Sequence, residues 1–281
     1  MPELPEVETT RRGLLASEKG RRIESVELRR ADLRVPFPRG LAAKLAGATI
    51  LDVRRRAKYL LLDLNTRDIL LVHLGMSGSF SVLHSDEHTT RKHDHALFEL
   101  DNGTRMVFHD PRRFGVIDLL PAHAETTHKL LAHLGPEPLS DAFSETYLKT
   151  ALSKRSGPIK TVLMDQKLVV GVGNIYASES LFKARIHPAE IASKSAKKVA
   201  AIIPSIRSTL EAAIASGGST LRDYVGANGS GGYFQHEFLV YERDGKPCFV
   251  CGTTIQHLVQ AARSSYFCPR CQQNRATRRK T

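Results

Sequence analysis

The chain contains no tryptophan, and only four of its 281 residues are cysteine. All four fall between Cys248 and Cys271, which excludes a disulfide framework spread over the fold. No stretch approaches the ~20 apolar residues that span a bilayer. The opening Met1-Pro2-Glu3-Leu4-Pro5-Glu6 has neither the basic region nor the apolar run of a secretory signal. These absences predict a soluble, cytoplasmic protein. Acidic residues are scarce: 29 Asp and Glu stand against 41 Lys and Arg, a formal net charge of +12. Such an excess selects a polyanionic partner, nucleic acid before an anionic membrane surface, although charge alone does not choose between them. Internal repeats and long low-complexity segments are also absent. Apolar residues are not scarce: at 41% they suffice for a packed core and exclude wholesale disorder.

The first half carries short apolar or alternating runs over 59–64, 69–74, 79–83, 95–100, 105–109 and 116–120, separated by turn residues. The Asn102-Gly103 pair between two of them is a strong hairpin signal. Closely spaced strands with short links predict an antiparallel sandwich rather than βαβ units. A helix is predicted over 5–15, where Leu4, Val7, Leu14 and Leu15 share a face. Glu6 and Glu8 come early in it and Arg11 and Arg12 late, the order that suits the helix dipole. Leu134-Gly135-Pro136-Glu137-Pro138 breaks any regular element and marks a boundary. Helical patterns follow over 145–153, 158–166, 175–184 and 195–216, the last kinked or divided at Pro204. Residues 226–232 hold four glycines in seven and read as a mobile loop. The tail over 275–281 is basic and reads as disordered. The fold class is therefore α+β, with regions over 1–134, 135–237 and 238–281.

Four patterns carry chemistry. Cys248-x2-Cys251-x16-Cys268-x2-Cys271 has the spacing of a zinc site, each C-x2-C turn offering two thiolates; two disulfides or four idle thiols is the other reading. Gln256, His257, Gln260, Arg263 and Ser264 between the two turns make a polar, basic hairpin tip, either a phosphate contact or a solvated staple. Second, Met followed by Pro is normally trimmed, which exposes the Pro2 secondary amine. An α-amine is much less basic than lysine and is partly nucleophilic near neutral pH. Glu3 and Glu6 follow as acids or bases, unless these residues are only a frayed terminus with helix-capping carboxylates. Third, basic residues lie in or beside apolar strands: Arg54-Arg55-Arg56-Ala57-Lys58 before Tyr59, His73 and Met76 around Leu74-Gly75, His93-Asp94-His95, and the turn Asp110-Pro111-Arg112-Arg113-Phe114-Gly115. An arginine and a ring at a rigid turn suit insertion into a base stack; each also reads as a surface turn, a core ring or a satisfied histidine. Fourth, Gly171-Val172-Gly173-Asn174 opens a helix, either as an anion cradle or as ordinary capping with Asn174 as N-cap.

Taken together these motifs resemble the bacterial formamidopyrimidine-DNA glycosylases, bifunctional repair enzymes for oxidised purines. The resemblance runs nearly end to end. It rests on Pro2-Glu3-Leu4-Pro5-Glu6-Val7-Glu8-Thr9, Arg56-Ala57-Lys58-Tyr59-Leu60, His73-Leu74-Gly75-Met76-Ser77-Gly78, Lys92-His93-Asp94-His95, Asp110 to Gly115, His133 to Leu139, Gly171 to Glu179, and the four-cysteine finger with Arg263. It implies an N-terminal β-sandwich with flanking helices, a helix–two-turn–helix domain with a lesion-side loop, and a β-hairpin zinc finger, with DNA in the cleft between the halves. It also implies one structural zinc on Cys248, Cys251, Cys268 and Cys271. Pro2 would be the nucleophile, Glu3 the acid assisting ring opening, and Glu6 its support. Lys58 would assist β-elimination, and Arg263 δ-elimination. His73, Met76, His93, Arg112, Phe114, Arg155, Lys160, Asn174 and Tyr241 would contact DNA, and the loop over 224–235 would close on an extruded purine. The expected partner is double-stranded DNA with oxidised purines or abasic sites, bound by a nucleoid-associated monomer. The rivals are the sister endonuclease for oxidised pyrimidines and a catalytically silent zinc-finger DNA-binding protein. Pro2 to Glu8, Met76, Arg112 and Phe114 weigh against the first, and intact Pro2, Glu3 and Lys58 against the second.

Overall fold

A computed structural model of the chain describes residues 2–84, 86, 89–219 and 232–274. Most of the glycine-rich loop over 226–232, and the basic tail over 275–281, lie outside the described residues. The chain divides into two compact units, residues 1–133 with 214–235, and residues 134–213 with 236–281.

The first unit opens with helix α1 (Leu4–Glu18), which continues past Leu15, where the apolar pattern stops. A capping box starts it: the Glu3 side chain accepts the Glu6 backbone N–H, and the Glu6 side chain accepts that of Glu3. Then come β1 (Ile23–Leu28), the short helix α2 (Leu41–Leu45), β2 (Ile50–Arg56), β3 (Tyr59–Leu64), β4 (Asp68–His73), β5 (Ser79–His84), β6 (Asp94–Leu100), β7 (Thr104–His109) and β8 (Val116–Pro121). They form two four-stranded antiparallel sheets, ordered β1-β6-β7-β5 and β2-β3-β4-β8. Alternation along each strand sends one set of side chains into a shared core. Ile23, Phe80, Phe98 and Phe108 come from one sheet, and Leu60, Leu62, Leu70 and Val72 from the other, with Val7 and Leu14 of α1 beside them. The rings of Phe98 and Phe108 stand 5.6 and 6.1 Å from that of Phe80.

The segment over 56–60 is the tip of a hairpin. Arg56 pairs with Tyr59, so Ala57 and Lys58 are the entire turn, with Ala57 at φ 54°. The run 54–56 stays inside β2 because its charges are answered. Arg54 binds Asp63 and Glu125 at 2.6–3.1 Å, and Arg55 binds Glu8 at 3.1 Å.

The second unit holds α3 (Glu145–Ser153), α4 (Ile159–Leu163), α5 (Asn174–Lys183), α6 (Ala192–Ser195) and most of α7 (Val199–Ala215), followed by β9 (Gln256–Gln260) and β10 (Arg263–Phe267). Ser144 caps α3 by accepting the Tyr147 N–H at 3.2 Å. The pattern over 195–216 is divided, but not at Pro204. A 3₁₀ turn over Ala196–Lys198 makes the break, and Pro204 lies inside α7. Ile202, Ile206, Leu210 and Ala213 form the buried stripe of α7.

Candidate active site

The first unit carries the residues around Pro2. Pro2 is buried ahead of α1, and Glu3 and Glu6 are each 2% exposed. Glu6 Oε2 accepts the Glu3 N–H at 2.8 Å, while Oε1 accepts the Ser219 N–H at 2.8 Å and its hydroxyl at 3.1 Å. One carboxylate therefore fixes the main chain beside Pro2 and the residue that precedes segment 220–231. Gly218 permits this approach: at φ +82° it lies in the left-handed region, and a Cβ there would sit 3.0 Å from Glu6 Oε1.

Lys58, buried at the β2–β3 turn, neighbours His73 at the end of β4. The His73 ring packs on Tyr59 at 4.9 Å, and its Nδ1 accepts the Gly75 N–H at 3.0 Å, which places the ring hydrogen on Nε2. Burial, with the charges of Lys58 and Arg34, lowers the pKa of His73 to about 4. His73 is thus a neutral N–H donor at physiological pH.

Met76, Arg112 and Phe114 project from two loops that one carboxylate ties together. Asp110 is fully buried. Its Oδ1 accepts the Ser77 hydroxyl at 2.9 Å and the Arg112 N–H at 3.3 Å, and its Oδ2 accepts the Gly115 N–H at 2.8 Å. Gly75 closes the contact, since a Cβ there would lie 2.5 Å from the Phe114 backbone carbon. On this frame Met76 is 38% and Phe114 41% exposed, with the Arg112 guanidinium 4.9 Å over the Phe114 ring. Sequence reasoning gives Asp110 and Ser77 no role. The signal for Asp110 is its place at the start of a turn, where carboxylates bond the backbone that follows. His93 is half-buried, its ring 6.2 Å from His95 and 5.9 Å from His109.

In the second unit Asn174 is the first residue of α5 and not its N-cap, which is Gly173. Its side chain instead joins a polar network: Oδ1 accepts from Lys160 Nζ at 2.7 Å, and Nδ2 donates to Tyr241 Oη at 3.2 Å. Glu179, also without a role in the sequence reading, accepts the backbone N–H groups of Leu239, Val240 and Tyr241 at 2.8–3.0 Å. Burial raises its pKa despite these donors. Lys160 itself is 1% exposed. Arg155 is exposed and pairs with Asp165 at 3.2 Å. Arg263 is exposed at the start of β10, paired with Gln260 across a turn made only of Ala261 and Ala262, at φ 47° and 58°.

The four cysteine sulfurs lie within 4.8 Å of one another. Cys251 and Cys268 are 3.5 Å apart and Cys248 and Cys271 4.0 Å apart, against about 3.8 Å between sulfurs of a tetrahedral zinc thiolate site. Backbone N–H groups of Val250 and Cys271 donate to Cys248 and Cys268 at 3.4 Å. Burial and the neighbouring sulfurs raise the pKa of Cys271 to about 12, while Thr253 hydrogen bonds lower that of Cys251 to about 6. Four thiolates this close need a divalent cation, and the donor set fits zinc. His257 is no ligand; its Nδ1 pairs with Asp244 at 3.2 Å.

Three family models match in chain order. They are the formamidopyrimidine-DNA glycosylase N-terminal domain over residues 1–117, the formamidopyrimidine-DNA glycosylase H2TH domain over 134–225, and the zinc finger found in FPG and IleRS over 245–274. The chain belongs to the formamidopyrimidine-DNA glycosylase family. It is a DNA glycosylase with an α+β fold and a zinc finger. The formamidopyrimidine-DNA glycosylase of Paracoccus denitrificans (strain Pd 1222) is 51% identical, over 97% of this chain and 100% of that protein. The Lactococcus lactis Fpg in complex with an abasic site containing DNA is 34% identical with a TM-score of 0.89, and a Lactococcus lactis FPG mutant with a Fapy-dG containing DNA is 35% identical with a TM-score of 0.90. Both cover 97% of this chain and 100% of theirs. Among the described residues, no helix is long and apolar enough to cross a membrane. DNA is the partner that the positive charge serves.

Proposed function

We propose that the protein excises oxidised purines, 8-oxoguanine and formamidopyrimidines, from duplex DNA and then cuts the abasic strand by β,δ-elimination. With Met1 removed, the Pro2 amine attacks C1′ of the damaged nucleoside. The new C–N bond replaces the glycosidic bond, and the base leaves with that electron pair and takes up a proton. Glu3, buried at the N-cap of α1, delivers the proton that opens the sugar ring. The iminium acidifies C2′; loss of that proton, assisted by Lys58, expels the 3′-phosphate. A second elimination, promoted by Arg263, expels the 5′-phosphate, and water frees Pro2. Glu6 holds Glu3 in place. A base must leave the stack before this chemistry begins, and Met76, Arg112 and Phe114 fill the space it vacates. His73, His93, Arg155, Asn174 and Tyr241 hold the sugar–phosphate chain. Residues 1–134 carry the nucleophile, its acid and Lys58, residues 135–237 grip DNA, and residues 238–281 grip DNA and supply Arg263.

The buried Pro2-Glu3 pair, fixed by Glu6, is the observation that supports this reading most directly. Duplex containing 8-oxoguanine opposite cytosine, incubated with borohydride, tests it. The expected product is a covalent protein–DNA adduct, and without borohydride a gap flanked by two phosphates. Protein that retains Met1 binds abasic duplex but gives no adduct. Trapping by N-terminally blocked protein overturns the role of Pro2 and moves suspicion to Lys58. Excision of oxidised pyrimidines alone overturns the substrate.

A further inference from the structure

Lys160 is among the largest fully buried side chains of the protein, and a buried ammonium requires acceptors. Its Nζ lies 2.7 Å from Asn174 Oδ1, 2.8 Å from the Ser264 carbonyl oxygen and 2.9 Å from Ser265 Oγ. An ammonium has three hydrogens, and these three acceptors lie within hydrogen-bond distance of it among the described residues. Two of them belong to the residues that directly follow Arg263. The chain of bonds continues: Ser265 Oγ donates to Gln260 Oε1 at 2.7 Å, and Gln260 Nε2 donates to the Pro188 carbonyl at 3.3 Å. Gln260 and Arg263 are partners across the hairpin, so both sides of the Ala261–Ala262 turn are tied down. That turn needs it. Two consecutive alanines in the left-handed region are each disfavoured, and such a conformation persists where the surroundings over-determine it.

The third acceptor sets a polarity. Because Lys160 donates to Asn174 Oδ1, the Asn174 amide nitrogen must face Tyr241, and it donates to Tyr241 Oη at 3.2 Å. Flipping the amide would set an N–H group against the ammonium. Tyr241 Oη accepts from Asn174, so its own hydrogen points away from that residue. Donor hydrogens are what a phosphodiester requires of such side chains.

We propose that Lys160 is a positioning residue, which orients the Asn174–Tyr241 pair and the Arg263 hairpin together without touching DNA itself. The inference rests on the elimination chemistry proposed above, and it replaces the expectation that Lys160 binds phosphate. The two roles differ in what they predict. Substituting a residue that binds phosphate makes the slope of log affinity against log salt shallower by about 1. Substituting a positioning residue leaves that slope alone and disturbs the step that depends on Arg263.

The test uses the zinc-loaded full chain, with Lys160→Met and Ser265→Ala beside the unaltered protein, on duplex carrying a preformed abasic site. Misplacement of a catalytic group by about 1 Å costs up to ~100-fold. Lys160→Met is therefore expected to raise the ratio of β- to β,δ-product by roughly 10- to 100-fold with the salt slope unchanged. Ser265→Ala removes one anchor without removing the charge and is expected to shift the ratio the same way, by a few-fold. A shallower salt slope with an unchanged product ratio in Lys160→Met overturns the inference. So does an unchanged ratio in Ser265→Ala, including the case in which Lys160→Met fails to fold. If the unaltered protein cuts no abasic DNA, the lyase reading falls, and the salt slope of Lys160→Met alone then decides between the two roles.

Discussion

Replacing Ala261 with Asn and Ala262 with Gly relaxes the turn that carries Arg263. Both alanines have positive φ, 47° and 58°, across a two-residue connection between β9 and β10. These are the φ signs of a type I′ turn, for which Asn-Gly is the preferred pair. Each alanine spends roughly 1–2 kcal/mol in that region. Glycine removes its share, less about 0.5–1 kcal/mol for its greater freedom in the unfolded chain. Asparagine tolerates the region better than alanine and recovers part of the rest. The expected net gain is about 1–2 kcal/mol, or roughly 3–8 °C in Tm for a unit of this size. Thermal unfolding of the zinc-loaded double variant Ala261→Asn, Ala262→Gly measures it, and chelator-driven zinc release should slow in parallel. An unchanged or lower Tm refutes the reasoning, because it would mean that the alanines sit there without strain.

In the vacated space where it is proposed to sit, the Arg112 guanidinium would face the acceptor edge of the orphaned cytosine, so Arg112→Ala, assayed on 8-oxoguanine opposite cytosine and opposite adenine, should lower the cytosine-to-adenine activity ratio by about 5- to 150-fold, the worth of one bidentate base contact; equal losses on both duplexes would make Arg112 a phosphate clamp. Asp110→Asn keeps one acceptor oxygen but turns an NH₂ toward the Gly115 or Arg112 N–H. It should cost about 1–3 kcal/mol, read as a lower Tm, with lesion excision falling more than cleavage of preformed abasic sites. His73 has a folded pKa of about 4, below its ordinary 6.5, so between these values the unfolded chain binds the proton and the folded chain does not. Its contribution to stability is therefore full above pH 6.5 and falls away as pH drops toward 4; His73→Asn should flatten the acid limb of a Tm–pH curve, and identical limbs would contradict the assignment. Chelation of zinc should loosen the finger and weaken DNA binding while residues 4–133 keep their protection from protease; loss of that protection as well would show that the metal supports more than the finger.

The strands that can be read from the sequence are those whose residues are apolar in runs, β3 to β8. Both β1 and β2 escape because their charged residues conceal the alternation. In β2 the three arginines look like a solvated stretch until Asp63, Glu125 and Glu8 arrive from elsewhere to pair with two of them. The cysteine spacing discloses the metal site because both halves of it are local. The burial of Lys160 leaves no such local sign, because two of its acceptors lie 104 and 105 residues away. Asn174 has the residue type of an N-cap, but Gly173 occupies that position and frees the amide for Lys160 and Tyr241. Nothing in the sequence around Glu179 indicates that it holds three amides of a segment 60–62 residues onward.

The bond between Glu6 and Ser219 spans 213 residues, and this bears on how the protein emerges from the ribosome. Its first compact unit is not contiguous: residues 214–235 complete what residues 1–133 begin. At ~5–20 residues per second, synthesis of the intervening chain takes on the order of 5–20 s. During that interval both β-sheets have been made, but the second anchor of Glu6 has not. A nascent chain can therefore fold its sandwich early while the carboxylate beside Pro2 still lacks its Ser219 donors. The geometry around Pro2, the nucleophile proposed above, would then be among the last features set during biosynthesis, and the proposed covalent step would have to wait until most of the chain exists.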